Sequence, residues 1–190
     1  MGVVEVIERL KEEIRKQVLN DLRTQKEEER LRKSLVIQEK LFTLPEFLNS
    51  KTMLFYASFD GEVETFDMLK QAKKIGKTIA LPYIFKKTKR FVPVLVKNLE
   101  ALEPGPYGIK QPSYDPELCV APEAIDLCVV PGVAFDRTRH RLGRGAGYYD
   151  RFLSTLSPRT HTIGLAFQFQ VFDCLPHQDH DVSVSRLICD

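Results

Sequence analysis

A chain of 190 residues with 43% hydrophobic side chains, 12 Phe among its aromatic residues, has material for a sizeable core and the length of one domain. Its 28 Lys and Arg against 26 Asp and Glu leave a net charge of +2, which excludes a nucleic-acid coat or a basic membrane-surface protein, and no apolar run approaches the ~18 residues of a bilayer span. Met1 to Lys16 is charged throughout and predicts no signal peptide, and the scattered Cys119, Cys128, Cys174 and Cys189 suit reduced thiols in the cytoplasm.

Residues 1–44 read as two helices packed on the remainder of the chain. Val3, Ile7, Leu10, Ile14, Val18 and Leu22 recur at steps of three and four and so share a helical face. Thr24 followed by Glu27 has the form of a capping box, which predicts that a second helix starts there. Leu31, Leu35, Leu41 and Leu44 are expected to line it, and Pro45 to end it. After Pro45, short apolar runs alternate with helical stretches. Met53 to Ala57 reads as a buried strand, and Ser58 to Glu64 as a polar loop. Thr65 is placed to cap a helix through Gly76 that turns Phe66, Leu69, Ala72 and Ile75 inward. Thr78 to Leu81 reads as a second strand stopped by Pro82, and Phe91 to Val96 as a third, reached through the basic turn 86–90. Residues 103–112, rich in Pro and Gly, read as an ordered loop. Leu127 to Val130 reads as a fourth strand and Gly147 to Leu156 as a helix. A fifth strand is expected at Thr162 to Phe167 and a sixth at Val182 to Ile188. Such alternation predicts a single-domain α/β fold spanning residues 1–190. Its centre is an open, mostly parallel sheet with helices on both faces, a Rossmann-like three-layer arrangement preceded by the two N-terminal helices.

The window Pro131 to Phe152, PGVAFDRTRHRLGRGAGYYDRF, lies where a predicted strand gives way to a predicted helix. Open α/β sheets bind ligands at such places. Gly143, Gly145 and Gly147 alternate within it, and Arg137, Arg139, Arg141, Arg144 and Arg151 face only Asp136 and Asp150. Glycine lets backbone N–H groups approach a ligand closely, and arginine adds forked donors for phosphate oxygens. Arg141, Arg144, Gly145 and Gly147 are therefore expected on phosphates, with Asp150 beside them on Mg²⁺. The loop is no Walker A motif and no dinucleotide fingerprint, since Tyr148 stands three residues after Gly145. The competing reading is a glycine-rich turn that only packs a helix on a strand.

With these residues the sequence resembles the 5-formyltetrahydrofolate cyclo-ligase family, also called 5,10-methenyltetrahydrofolate synthetases. The family pattern P-G-x-x-F-D, then R-L-G-x-G-x-G-Y-Y-D-R-[FY]-L, stands here as Pro131 to Asp136 and Arg141 to Leu153. Lys11 and Arg15 resemble a helical Lys and Arg pair, and Tyr56 to Thr65 resembles a Y-x-S-x-x-x-E-[VI]-x-T segment. Pro106 to Ile109 resembles a P-x-G-I segment, and His180-Asp181 an H-D pair. The resemblance implies an ATP- and Mg²⁺-dependent ring closure. The formyl oxygen of 5-formyltetrahydrofolate attacks the γ-phosphorus of ATP, and N10 then displaces phosphate from the resulting imidate. ATP contacts are implied for Lys11, Arg15, Arg141, Leu142, Gly143, Arg144, Gly145, Ala146, Gly147, Tyr148 and Tyr149. Folate contacts are implied for Ala57, Glu62, Arg144, Gly145, Ala146, Gly147 and Tyr148, catalytic roles for Arg144 and Tyr148, and Mg²⁺ contacts for Asp150 and Asp181. Two departures bear on ATP affinity: Arg139 stands where the family often has Gly, and Ala146 where some members carry Lys.

Other classes stay open at this point. One is a catalytically silent nucleotide- or folate-binding homologue of the same fold. Another is a sugar-phosphate isomerase on a related sheet, and a weaker one an RNA contact through residues 86–90. The leading expectation is a cytoplasmic monomer acting on small molecules, with no nucleic-acid or membrane partner.

Overall fold

A computed structural model describes residues 2–178 and 181–190, so His180 of the H-D pair, like the side chain of Val3, lies outside the described residues. Two helices open the chain, α1 (Val3–Thr24) and α2 (Glu27–Phe42), followed by the short α3 (Pro45–Asn49). Thr24 does not cap α2. Its hydroxyl donates back to the Asn20 carbonyl at 2.9 Å, inside α1. Gln25 closes the corner instead, its Nε2 donating to the carbonyls of Leu22 and Gly61 at 3.0 and 2.8 Å.

The inner face of α1 keeps Ile14, Val18 and Leu22 of the expected stripe, but exchanges Leu10 for Lys11. Leu10 is 40% exposed, whereas Lys11, Val18 and Leu22 are buried. Lys11, Arg15, Val18 and Leu22 stand at i, i+4, i+7 and i+11, which is one helical face. On α2 the inner face runs Ser34, Ile37, Gln38 and Leu41, and Leu31 and Leu35 face solvent. A polar residue holds that face because Ser34 bridges two backbones, donating to the Arg30 carbonyl at 2.7 Å and accepting from the Glu64 N–H at 2.9 Å.

The strands are β1 (Thr52–Leu54), β2 (Thr78–Phe85), β3 (Arg90–Leu95), β4 (Glu103–Pro104), β5 (Lys110–Gln111), β6 (Leu127–Val130), β7 (Ala134–Asp136), β8 (Arg141–Leu142), β9 (His161–Ala166), β10 (Val171–Phe172) and β11 (Arg186–Cys189). Helix α4 (Phe66–Lys74) follows β1, and α5 (Tyr148–Leu153) follows β8. Six strands form the central sheet in the order β11-β9-β6-β1-β2-β3, parallel throughout except for the antiparallel edge strand β3. Side chains alternate across it. Met53, Val129 and Leu165 join one core cluster with residues of α1, α2, α3 and α4. Leu54, Cys128, Val130 and Ala166 join another with Phe152 and Leu153 of α5. Each large apolar side chain so buried contributes about 1.5–3 kcal/mol relative to exposure. The α/β fold with a mostly parallel sheet is thus as expected, with one helical layer thick and the other thin.

Several boundaries differ, each for a physical reason. β2 continues through Pro82, which faces Pro93 across the antiparallel β2–β3 pair, beyond Ala80 where the pairing with β1 ends. Its missing N–H therefore interrupts no ladder. β1 stops at Leu54, and Phe55 to Ala57 continue as buried chain outside any strand. Thr65 precedes α4 but its hydroxyl holds the preceding loop, donating to the Tyr56 carbonyl at 2.7 Å and accepting from the Ser58 N–H at 3.0 Å. Ile75 lies past the end of α4 and is 56% exposed. Residues 103–112 contain the small hairpin β4–β5, α5 ends at Leu153, and β11 begins only at Arg186.

The largest difference is inside the glycine–arginine window, which makes a second small sheet, β10-β7-β8. Asp136, fully buried, pins it. Its carboxylate accepts from the N–H groups of Thr138, His140 and Leu175 at 2.9, 2.9 and 3.0 Å and from the Thr138 hydroxyl at 2.7 Å. Arg139 sits in that hairpin turn at φ +72°, a conformation that favours glycine, and its guanidinium donates to the Ser185 carbonyl. Arg139 does not line the large cleft of the molecule.

Candidate active site

The chain leaves β1 toward β2 on one side and β6 toward β9 on the other, so the sheet changes winding direction between β1 and β6. Ligands of open α/β sheets bind at such a switch point. A cleft of about 970 Å³ opens there, at the upper end for small-molecule sites. Every site residue read from the sequence lines it. Lys11 and Arg15 come from α1, Ala57 and Glu62 from the segment after β1, and Arg141 and Leu142 from β8. Gly143, Arg144, Gly145, Ala146 and Gly147 form the intervening loop, Tyr148, Tyr149 and Asp150 begin α5, and Asp181 precedes β11.

The two α1 cations are not solvated surface charges. Their side chains are 5% and 14% exposed. Lys11 Nζ lies 2.5 Å from Asp181 Oδ2, and Arg15 Nε donates to the Gly143 carbonyl at 3.0 Å, tying α1 to the glycine loop. Arg141 is equally enclosed. Its Nη2 meets Asp150 Oδ1 at 2.6 Å, and its Nε is buried without an acceptor among the described residues. The Val182 N–H approaches the same Asp150 oxygen at 3.5 Å, so the Asp150 and Asp181 segments are neighbours.

At the other end, Arg144 lies between two carboxylates. Its Nη1 is 2.9 Å from Asp60 Oδ2 and its Nη2 is 3.3 Å from Glu62 Oε1, with the guanidinium 4.2 Å above the Phe59 ring. Asp60 is gripped from behind by Arg23 of α1 through two bonds of 2.9 Å, and that grip, with Arg144, holds its carboxyl below the usual range. Glu62 is the opposite case. Burial pushes its pKa up to about 7, against the lowering charge of Arg144. Tyr148 touches Tyr107, with hydroxyls 3.4 Å apart, and burial together with that contact pushes the Tyr148 pKa up to about 12. Phe59, Asp60 and Tyr107 occupy the unspecified positions of the Tyr56–Thr65 and Pro106–Ile109 segments, where a pattern match carries no information about them.

Among the described residues, no group of three or more His, Cys, Asp and Glu comes together to hold a metal ion. Asp150 and Asp181 suit a different mode. Mg²⁺ is commonly held by one or two carboxylates together with substrate phosphates. Two neighbouring carboxylates at the cationic end of the cleft fit that role.

Comparison with known proteins shows the family. The model of the 5-formyltetrahydrofolate cyclo-ligase family matches residues 7–190. A 5-formyltetrahydrofolate cyclo-ligase of Mus musculus is 33% identical over 92% of this chain and 91% of its own length. One from Escherichia coli K12 is 28% identical over 78% of this chain and 83% of its own. The solved structure of a 5,10-methenyltetrahydrofolate synthetase from Aquifex aeolicus superposes with a TM-score of 0.83 at 37% identity, covering 95% of this chain and 89% of that one. A cleft at the switch point, lined by the Arg141–Asp150 signature and the Lys11–Arg15 pair, therefore sits in a chain that belongs to the 5-formyltetrahydrofolate cyclo-ligase family.

Proposed function

We propose that this cleft holds ATP with its Mg²⁺ and 5-formyltetrahydrofolate side by side, so that the family's ring closure runs between them. The activity is a ligase reaction of one-carbon folate metabolism: 5-formyltetrahydrofolate and ATP give 5,10-methenyltetrahydrofolate, ADP and phosphate. The observation that carries the ATP assignment is the convergence of Lys11, Arg15, Arg141 and Arg144 on one cleft, with a buried Arg141 Nε still lacking an acceptor among the described residues. A buried donor left unpaired is costly, and phosphate oxygen is the acceptor it suits.

The roles follow from the pairs. Lys11 and Arg141, each already beside a carboxylate, hold phosphates, and the N–H groups of residues 143–147 cradle them. Asp150 and Asp181 would hold Mg²⁺, which neutralises charge on the phosphates. Arg144 reaches from the glycine loop toward the folate end and stabilises the phosphoryl group as it passes to the formyl oxygen. Tyr148 stacks on or hydrogen-bonds the folate, and Ala57 gives its ring room. Glu62 accepts from the polar pterin edge. Aligning the formyl oxygen with the γ-phosphate is the main task, since an amide oxygen leaves only after phosphorylation. The chain is read as one domain and as a cytoplasmic monomer, which its four free cysteines suit.

The test is direct: purified protein with 5-formyltetrahydrofolate should give the near-ultraviolet absorbance of the methenyl product only when ATP and Mg²⁺ are both present. No product from folded, ATP-binding protein would overturn the reading.

Glu62 adds a pH signature. A carboxylate that titrates at about 7 and accepts from substrate makes kcat/KM for the folate rise with pH through about 7 and level off above. Glu62→Gln should lose that limb. The sign for stability is opposite, because burial favours the protonated form. The folded protein loses stability as pH rises from 4.5 toward 7, and Glu62→Gln should escape that loss in a melting series across this range.

A further inference from the structure

Tyr149 carries a feature that the ATP assignment leaves unexplained. Tyr149 lines the cleft, and its hydroxyl is buried with no hydrogen-bond partner among the described residues. Its ring packs against Phe91 at 5.0 Å between centroids, and its centroid lies 5.8 Å from the Arg141 guanidinium. A phenol keeps its proton near neutral pH, so the group is an O–H donor with no acceptor among the described residues. Buried phenols usually find a partner, so one left unpaired beside a cleft calls for an explanation, and a ligand acceptor supplies one.

The nearest ligand chemistry is the folate ring, so the inference rests on the folate reading of the cleft. The pyrimidinone edge of 5-formyltetrahydrofolate offers two donors, N3–H and the 2-amino group, and one acceptor, the C4 carbonyl. Glu62 supplies acceptors and Tyr149 a donor, so together they complement the whole edge. We propose that Tyr149 is a specificity-determining residue whose hydroxyl donates to the C4 carbonyl while Glu62 accepts from N3–H and the 2-amino group. The C4 carbonyl lies beside N5, which bears the formyl group. A hydrogen bond there also fixes the ring next to the atom that attacks phosphorus.

The site then rejects a pteridine with an amino group at C4, which would set donor against donor. The experiment is calorimetric binding, with a non-hydrolysable ATP analogue present, of 5-formyltetrahydrofolate and of its 4-amino-4-deoxy counterpart to wild type and Tyr149→Phe. The variant should bind the natural folate about tenfold more weakly, as expected for one buried hydrogen bond, and bind the 4-amino compound no more weakly than wild type does. Its affinity for the ATP analogue should not change. Its unliganded melting temperature should hold or rise, because phenylalanine fills the same space without an orphaned hydroxyl. Equal weakening of both pteridines, no weakening of either, or a loss confined to the ATP analogue would each overturn the proposal while leaving the folate site standing. Wild-type protein that binds neither pteridine would overturn the folate reading and the role of Tyr149 together.

Discussion

Arg144→Ala should keep the fold and lose about 10²- to 10³-fold in kcat, the usual cost of removing one donor aimed at developing charge. The side chain is 29% exposed and fills no core space, so a melting curve close to wild type is expected. Its loss is nonetheless felt twice in the cleft. The phosphoryl group loses a forked donor, and Glu62 loses the cation that opposes its burial. The Glu62 pKa then rises further, so the ascending limb of the pH–rate profile should move to higher pH as well as fall in height. Arg144→Lys should restore little, because a single ammonium cannot bridge Asp60 and Glu62 while lying flat on Phe59. A folded Arg144→Ala protein with wild-type kcat would remove the assignment.

The second large effect is on stability. Gly61 adopts φ +83°, and a Cβ built there would stand 2.1 Å from the Leu22 carbonyl oxygen of α1. The contact is with backbone, so no side chain can turn aside to relieve it. Gly61→Ala should cost about 3 kcal/mol or more, a fall of ~6–12 °C in melting temperature for a chain of this size. Whatever relief the chain finds must lift residues 59–62 off α1. That parts Asp60 from Arg23 and drags Glu62 out of register, so the KM for the folate should rise even at temperatures where the variant is folded. Unchanged stability in a thermal melt would mean that the loop sits farther from α1 than 2.1 Å implies.

How much of this is legible in the sequence depends on the length of the signal. The central strands and the glycine–arginine window carry strong local patterns: a run such as Leu127 to Val130, or three alternating glycines among arginines, has few alternative uses. Lys11 and Arg15 are harder. Their i, i+4 spacing also describes solvated charges, and only the resemblance lifts them out of the polar background. The side sheet is not legible, because strands of two or three residues such as Arg141–Leu142 and Val171–Phe172 are too short to show a period. Leu31 and Leu35 mislead for the converse reason, since they sit at helical spacing while Ser34 takes the inner face through backbone hydrogen bonds that no hydropathy pattern records. Asp60 and Phe59 escape because their roles arise from Arg144, more than eighty positions away, folding back over them.

Helix α1 places two kinds of residue on one stripe, cleft cations at 11 and 15 and core anchors at 18 and 22. A rod seated by its inner end and charged at its outer end behaves as a lever. On the proposed ATP reading, free energy gained when phosphates engage Lys11 and Arg15 would be delivered to the seating of Val18 and Leu22, and any loosening of that seat would return to the site as weakened affinity. On that reading core and binding surface form one thermodynamic element here, and a methyl group removed at Val18 would in effect be removed from the nucleotide site.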